Sequence, residues 1–187
     1  IPLVAMVTRL VAHKGLDLVR TGLEALMNTE NMQFVILGTG EKEYEQKLSE
    51  LNRFENYKFL SIFNRELAKK LYAASDMFLM PSMYEPCGLS QMIAMSYGSI
   101  PIVRNVGGLA DTVKPYGDFE ANGFMFDNYN AHELLYTVKL AIAVYNDKDS
   151  WNLLVTGCWL RIILILIPDL SALSVSGLVM NISSQLL

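Results

Sequence analysis

The chain of 187 residues is 52% hydrophobic and 18% charged, which is the make-up of one well-buried domain and excludes a disordered segment. A net charge of −4, with the 15 basic side chains spread along the chain, lacks the dense positive surface that DNA or RNA needs, so nucleic acid is not an expected partner. Cys87 and Cys158 stand far apart, without CxxC spacing or neighbouring histidines, which excludes a disulfide framework and a zinc site and suits a reducing, cytoplasmic setting.

The opening run IPLVAMVTRL has no initiator Met, no basic leader and no small-residue cleavage site, so it does not read as a signal peptide. A strand-like run at the first residue implies a segment before it. From Ile1 to Trp151 short apolar runs alternate with amphipathic stretches, the pattern of repeated βα units in an α/β, Rossmann-like, doubly wound parallel sheet. The expected strands are LVAMVT (3–8), QFVIL (33–37), YKFLSI (57–62), DMFLM (76–80), IPIV (100–103) and GFMF (123–126). Between them Tyr44, Leu48 and Leu51 recur at helical spacing, as do Leu67 and Leu71, then Leu134, Val138, Ile142 and Tyr145. Asn130 and Glu133 have the spacing of a capping box that opens the last of these helices.

Ligands of a parallel sheet bind beyond the carboxyl ends of its strands, so the chemistry is sought in the loops there. The loop TRLVAHKG places Arg9 and Lys14 just before a helix; the pair suits an anion such as a diphosphate, or belongs to the solvated surface. LGTGE offers Gly38 and Gly40 for a tight turn and close backbone approach, but lacks the full GxGxxG spacing of a dinucleotide fingerprint. After DMFLM, Pro81 ends the strand, Pro86 stiffens the loop YEPCGLSQ, and Gly88 and Leu89 open the helix expected over SQMIAMSYG. Free amides at a helix start attract phosphate, and a glycine lets it come close. Glu85 beside them has a carboxylate able to accept hydrogen bonds from sugar hydroxyls; a cap or surface position is the alternative. Cys87 reads as a packing residue rather than a nucleophile, since no histidine nearby in sequence activates it. RNVGGLADTV adds Gly107 and Gly108 for another close approach, with Asp111 and Thr112 as caps or ligand contacts. His13 and His132 receive no role, and no carboxylate pair is spaced to hold a metal.

The stretches TRLVAHKGLDL, FVILGTGE, MYEPCGLSQ, YGSIPIVRNVGGLADTV and NGFMF together resemble the retaining glycogen synthases of bacteria and starch synthases of plants, over Ile1 to Trp151. That family folds as two facing Rossmann-like domains (GT-B) with the active site between them, and the resemblance covers the carboxyl-terminal half, which binds the nucleotide sugar. More distant retaining glycosyltransferases carry a second Glu eight residues after the first; Ile93 stands there, which favours the synthase branch. By this resemblance Arg9, Lys14 and Glu85 are the catalytic residues, the two cations holding the diphosphate of ADP-glucose and the carboxylate holding glucose hydroxyls. The amides of Gly88 and Leu89 would meet the distal phosphate and Phe63 the adenine, while Gly38, Gly40, Cys87, Gly107, Gly108 and Thr112 complete the nucleotide-sugar site. The reaction implied is transfer of glucose from ADP-glucose to the 4-hydroxyl at the nonreducing end of an α-1,4-glucan, with retention and without a metal or other cofactor. The implied partners are the glucan acceptor and a facing amino-terminal domain, not nucleic acid or membrane. The implied setting is the cytoplasm, or a plastid for a plant-type parent. A nucleotide-sugar-binding fragment without activity, or another retaining GT-B glycosyltransferase, are the alternative readings.

All but Arg161 of the 15 basic and all but Asp169 of the 19 acidic residues precede residue 152. That break sets a donor-binding domain (1–151) against an apolar tail (152–187) expected to be out of frame or non-native. The run WLRIILILI offers about nine residues where a membrane span needs about twenty. It also lacks the polar face of a surface helix, so it is expected to lie exposed, without a partner.

Overall fold

Six parallel strands form the sheet of the computed structural model, which describes residues 1–167. They are β1 (Leu3–Val7), β2 (Gln33–Leu37), β3 (Tyr57–Leu60), β4 (Met77–Met80), β5 (Ile100–Arg104) and β6 (Phe124–Phe126). All the runs expected to be strands therefore pair. β3 stops short of the expected Ile62 because the Ile62 N–H turns back to Leu60 O at 3.0 Å and leaves the ladder. The order β3-β2-β1-β4-β5-β6 is that of a doubly wound sheet. Winding reverses between β1 and β4, so a crevice opens beyond the carboxyl ends of those two neighbours.

The helices are α1 (Leu16–Thr29), α2 (Lys42–Glu50), α3 (Arg65–Ala74), α4 (Ser90–Ser96), α5 (Gly107–Thr112), α6 (Ala131–Asn146) and α7 (Lys148–Leu166). Alternation along the strands sorts the core into two faces. Val4, Met6, Phe34, Ile36, Met77 and Leu79 join the main core with α1, α6 and α7. Ala5, Leu37 and Phe78 point the other way, onto Leu71 and Tyr72 of α3 and Ala94 of α4. Strands covered on both faces are apolar almost throughout, which is why they were legible as runs. At the start of α6, Asn130 Oδ1 accepts from Glu133 N (2.8 Å) as expected of a cap. The Glu133 carboxylate does not complete the box but accepts from the backbone N–H groups of Asn128 (2.9 Å) and Asp127 (3.2 Å). These bonds hold its carboxyl below the usual range.

The break expected at Trp151 falls inside α7, which runs unbroken across it. The expectation of an unpartnered segment is corrected as far as Leu160, while Trp159, Ile163, Ile165, Leu166 and Ile167 are exposed, as expected of this run. Leu154, Cys158 and Leu160 are buried along with Trp151, and Cys158 Sγ–H donates to Asn122 O at 3.0 Å. The contact is close because Gly157 has no side chain; a Cβ there would stand 2.2 Å from Ala121 O. Counting the whole helix rather than its apolar end, α7 is long and apolar enough to cross a membrane by length and composition. Of its residues Trp151, Leu154 and Cys158 join the main core, while 22% of the apolar stretch is buried. The rest of the expected tail, 168–187, lies outside the described residues.

Candidate functional site

The loops after β1 and β2 close on each other beyond the sheet. Leu10 N donates to Thr39 O (3.0 Å) and Glu41 N to Leu10 O (2.9 Å). This approach consumes both expected glycines: a Cβ on Gly38 would lie 1.9 Å from Thr8 O, and one on Gly40 2.3 Å from Leu10 O. The loop after β1 also meets the loop after β4, where Met83 N donates to His13 O at 2.8 Å. The loop after β4 in turn leans on α5. Gly108 N donates to Glu85 O (3.0 Å), and Cβ atoms on Gly107 and Gly108 would stand 2.2 Å from Glu85 O and 2.0 Å from Cys87 O. Thus the close approach permitted by Gly107 and Gly108 is taken by the YEPCGL backbone itself.

This locking brings Lys14 and Glu85 together across 71 positions of sequence, Nζ to Oε2 at 2.5 Å. Their side chains are 16% and 12% exposed, so the pair is largely withdrawn from water and removing one member strands the other's charge. Ser82 Oγ donates to the same Oε2 at 3.2 Å. Among the described residues Oε1 carries no hydrogen bond, which leaves a carboxylate oxygen free to accept from hydroxyls.

Beside the pair opens a cavity of about 310 Å³ with Arg9, Lys14, Gly38, Phe63, Arg65 and Ser90 in its wall. Phe63 is 76% exposed at this opening, with the Arg65 guanidinium 5.9 Å from its ring centre. The arrangement puts cations around a space next to a carboxylate, with a flat aromatic face at hand. That is a setting for a ligand combining negative charge, hydroxyls and a planar ring.

Of the expected residues, Arg9, Lys14, Gly38 and Phe63 line the cavity, and Glu85 reaches it through Lys14 and Ser82. Gly40, Gly107, Gly108 and Thr112 stand behind the loops, with the Thr112 hydroxyl donating to Gly108 O at 2.8 Å. Cys87 is an exposed free thiol, and Leu89 is exposed beside it. Arg65, Ser82 and Ser90 were missed. Arg65 had a signal: a cation in the first turn of a helix is disfavoured by the macrodipole, so one placed there invites a functional reason. Ser82 and Glu85 have S-x-x-E spacing, yet no helix follows and the two side chains bond each other instead. Among the described residues no group of His, Cys, Asp and Glu is placed to hold a metal ion.

A sequence profile for the family described as glycosyl transferases group 1 matches residues 2–152. The chain belongs to that family. It is 52% identical over 159 residues to a glycogen synthase of Clostridioides difficile, the match covering 83% of this chain and 33% of that protein. A glycogen synthase of Bacillus cereus is also 52% identical, over 158 residues, with 82% and 33% covered. The chain thus spans about a third of the length of these relatives. Among solved structures it superposes on the catalytic domain of starch synthase IV from Arabidopsis thaliana, bound to ADP and acarbose, with a TM-score of 0.77 and 35% identity. That match covers 84% of this chain and 34% of the other. A sucrose-phosphate synthase of Thermosynechococcus elongatus shares the fold, with a TM-score of 0.72 at 23% identity, covering 98% of this chain and 46% of that one. The fold is accordingly the Rossmann-like carboxyl-terminal half of a GT-B glycosyltransferase.

Proposed function

We propose that this chain is the donor-binding half of a retaining glucosyltransferase that moves glucose from ADP-glucose to the 4-hydroxyl at the nonreducing end of an α-1,4-glucan. The observation that carries the reading is the Lys14–Glu85 pair at the wall of a cation-lined cavity, in a chain 52% identical to glycogen synthases. ADP as the nucleotide is supported by the likeness to a starch synthase bound to ADP.

The difficult event in such a transfer is departure of the nucleotide diphosphate from the anomeric carbon, which leaves positive charge on the sugar and negative charge on the phosphate. Lys14, with Arg9 and Arg65 nearby, neutralises the phosphate side; preorganised groups of this kind typically contribute about 10²–10³ each in rate. Glu85 serves the sugar side, its free Oε1 accepting from glucose hydroxyls while Oε2 stays on Lys14. One carboxylate therefore links the two centres of developing charge. With cations performing the neutralisation the reaction needs no metal. The acceptor glucan would lie between this half and a facing amino-terminal domain, so this chain by itself binds the donor without transferring glucose. The cytoplasm is the setting consistent with two unpaired cysteines.

Calorimetric titration of ADP-glucose into the chain tests the reading. Saturable binding is expected, weakened at least about tenfold in Lys14→Ala, because a lost cation leaves the diphosphate charge unmet and strands Glu85. Affinity unchanged by Lys14→Ala would remove the residue from the diphosphate site.

A further inference from the structure

Beneath the loop that carries Glu85 lies a polar side chain with one end unpartnered. Gln91, in the first turn of α4, is wholly buried. Its Nε2 donates to Thr112 Oγ1 at 3.0 Å, and Thr112 donates onward to Gly108 O at 2.8 Å. The onward bond commits the hydroxyl proton, so Thr112 can only accept from the amide, which orients the nitrogen toward Thr112 and the oxygen away from it. Gln91 Oε1 is left without a hydrogen bond. It lies against Gly88, where a Cβ would stand 2.7 Å from it.

A buried acceptor without a donor costs folding free energy, and methionine, of similar shape, would not carry that cost. Packing alone therefore does not account for an amide at this position. What the amide does is tie α4 to α5 through Thr112 while its flat face supports Gly88, whose φ of +62° is open to glycine and strained for other residues. Among the described residues the backbone N–H groups of Gly88 and Leu89 donate to nothing.

We infer that Gln91 is a positioning residue of the donor site: anchored on Thr112, its amide holds Gly88 in the backbone conformation that keeps the Gly88 and Leu89 N–H groups open to the distal phosphate of a nucleoside diphosphate. The inference rests on the donor-site reading above. Without the support, Gly88 relaxes and the amides turn away, while nothing that holds the nucleoside changes.

The test is calorimetric titration of ADP and of AMP into the unaltered chain and into Gln91→Met, with thermal melting alongside. Gln91→Met is expected to melt at or above the temperature of the unaltered chain, because the unpartnered acceptor is gone. Its ADP affinity is expected to fall about tenfold, the scale of one hydrogen bond to a charged group, while AMP, which has no distal phosphate, binds as before. Thr112→Val removes the anchor and is expected to erase the same preference for ADP over AMP, which keeps the test open should Gln91→Met fail to fold. An undiminished ADP-over-AMP preference in the folded variants overturns the inference. So does an equal loss for both nucleotides, which would mark Gln91 as structural only. Failure of the unaltered chain to bind either nucleotide would instead bring down the donor reading, and this inference with it.

Discussion

The edge of the sheet that carries the cavity and the flank that carries α7 are closed by the same device, a glycine that lets backbone approach backbone. At the edge Gly38 meets Thr8 O and Gly108 meets Cys87 O; at the flank Gly157 meets Ala121 O. What differs is the state of the polar groups left behind. At the flank the buried thiol has its acceptor, Asn122 O, the other buried side chains of α7 are apolar, and one buried polar atom, Arg161 Nε, lacks a partner among the described residues. At the edge Glu85 Oε1 and the N–H groups of Gly88 and Leu89 have no partner among the described residues. The contrast teaches that a glycine contact marks packing in both places, whereas only the edge gathers a free carboxylate oxygen and two free amides close to a cavity lined by Arg9, Lys14 and Arg65. The glycines of this chain were the more visible signal in the sequence and the less informative one.

The comparison predicts that the flank is structural and the edge is not, and substitution separates the two. The largest effect is expected from Leu154→Ala, which empties a site 2% exposed and should cost about 2–5 kcal/mol in urea denaturation. Its neighbour Leu153 is 70% exposed, so Leu153→Ala should stay within about 0.5 kcal/mol. Equal effects would mean that α7 does not pack as described. A smaller change, confined to binding, is expected at the edge. Phe63→Ala should weaken ADP affinity by about tenfold, since stacking on a base contributes about 1–3 kcal/mol, and should leave the melting temperature unchanged. An unaffected ADP isotherm would remove Phe63 from the site. The gentlest probe uses the two thiols without altering the chain. Cys87 is exposed, while Cys158 is fully buried and burial pushes its thiol pKa up, so an alkylating reagent should modify Cys87 at once and Cys158 only on unfolding. Comparable rates at neutral pH would contradict the docking of α7.

The strands and most helices were legible because a sheet covered on both faces demands continuous apolar runs, and amphipathic helices such as α6 keep a periodic face. α5 was not legible as a helix: it begins with two glycines, poor helix formers, and exists where the Glu85–Cys87 backbone leaves room for nothing larger. α7 was misjudged for a different reason. Its apolar residues show no clear helical period to say which side is covered, and two of its partners, α4 and the segment around Ala121 and Asn122, are remote in sequence. In the site, Arg9, Lys14, Phe63 and Glu85 were each legible from loop position or family resemblance. Their arrangement was not, because the Lys14–Glu85 pair exists only once β1 and β4 become neighbours. The identity of side chains at a strand's end is local information, whereas their pairing is a property of strand order.

The central claim is a division of labour, with Lys14 for the diphosphate and Glu85 for the sugar, joined by one ion pair. It is tested most directly by the ADP and ADP-glucose isotherms of Glu85→Gln beside those of the unaltered chain. Removing the carboxylate charge releases Lys14 from its partner, so ADP is expected to bind at least as tightly as before, while whatever advantage ADP-glucose holds over ADP is expected to disappear. A collapse of ADP affinity in Glu85→Gln, or an advantage of ADP-glucose that survives it, would contradict the division.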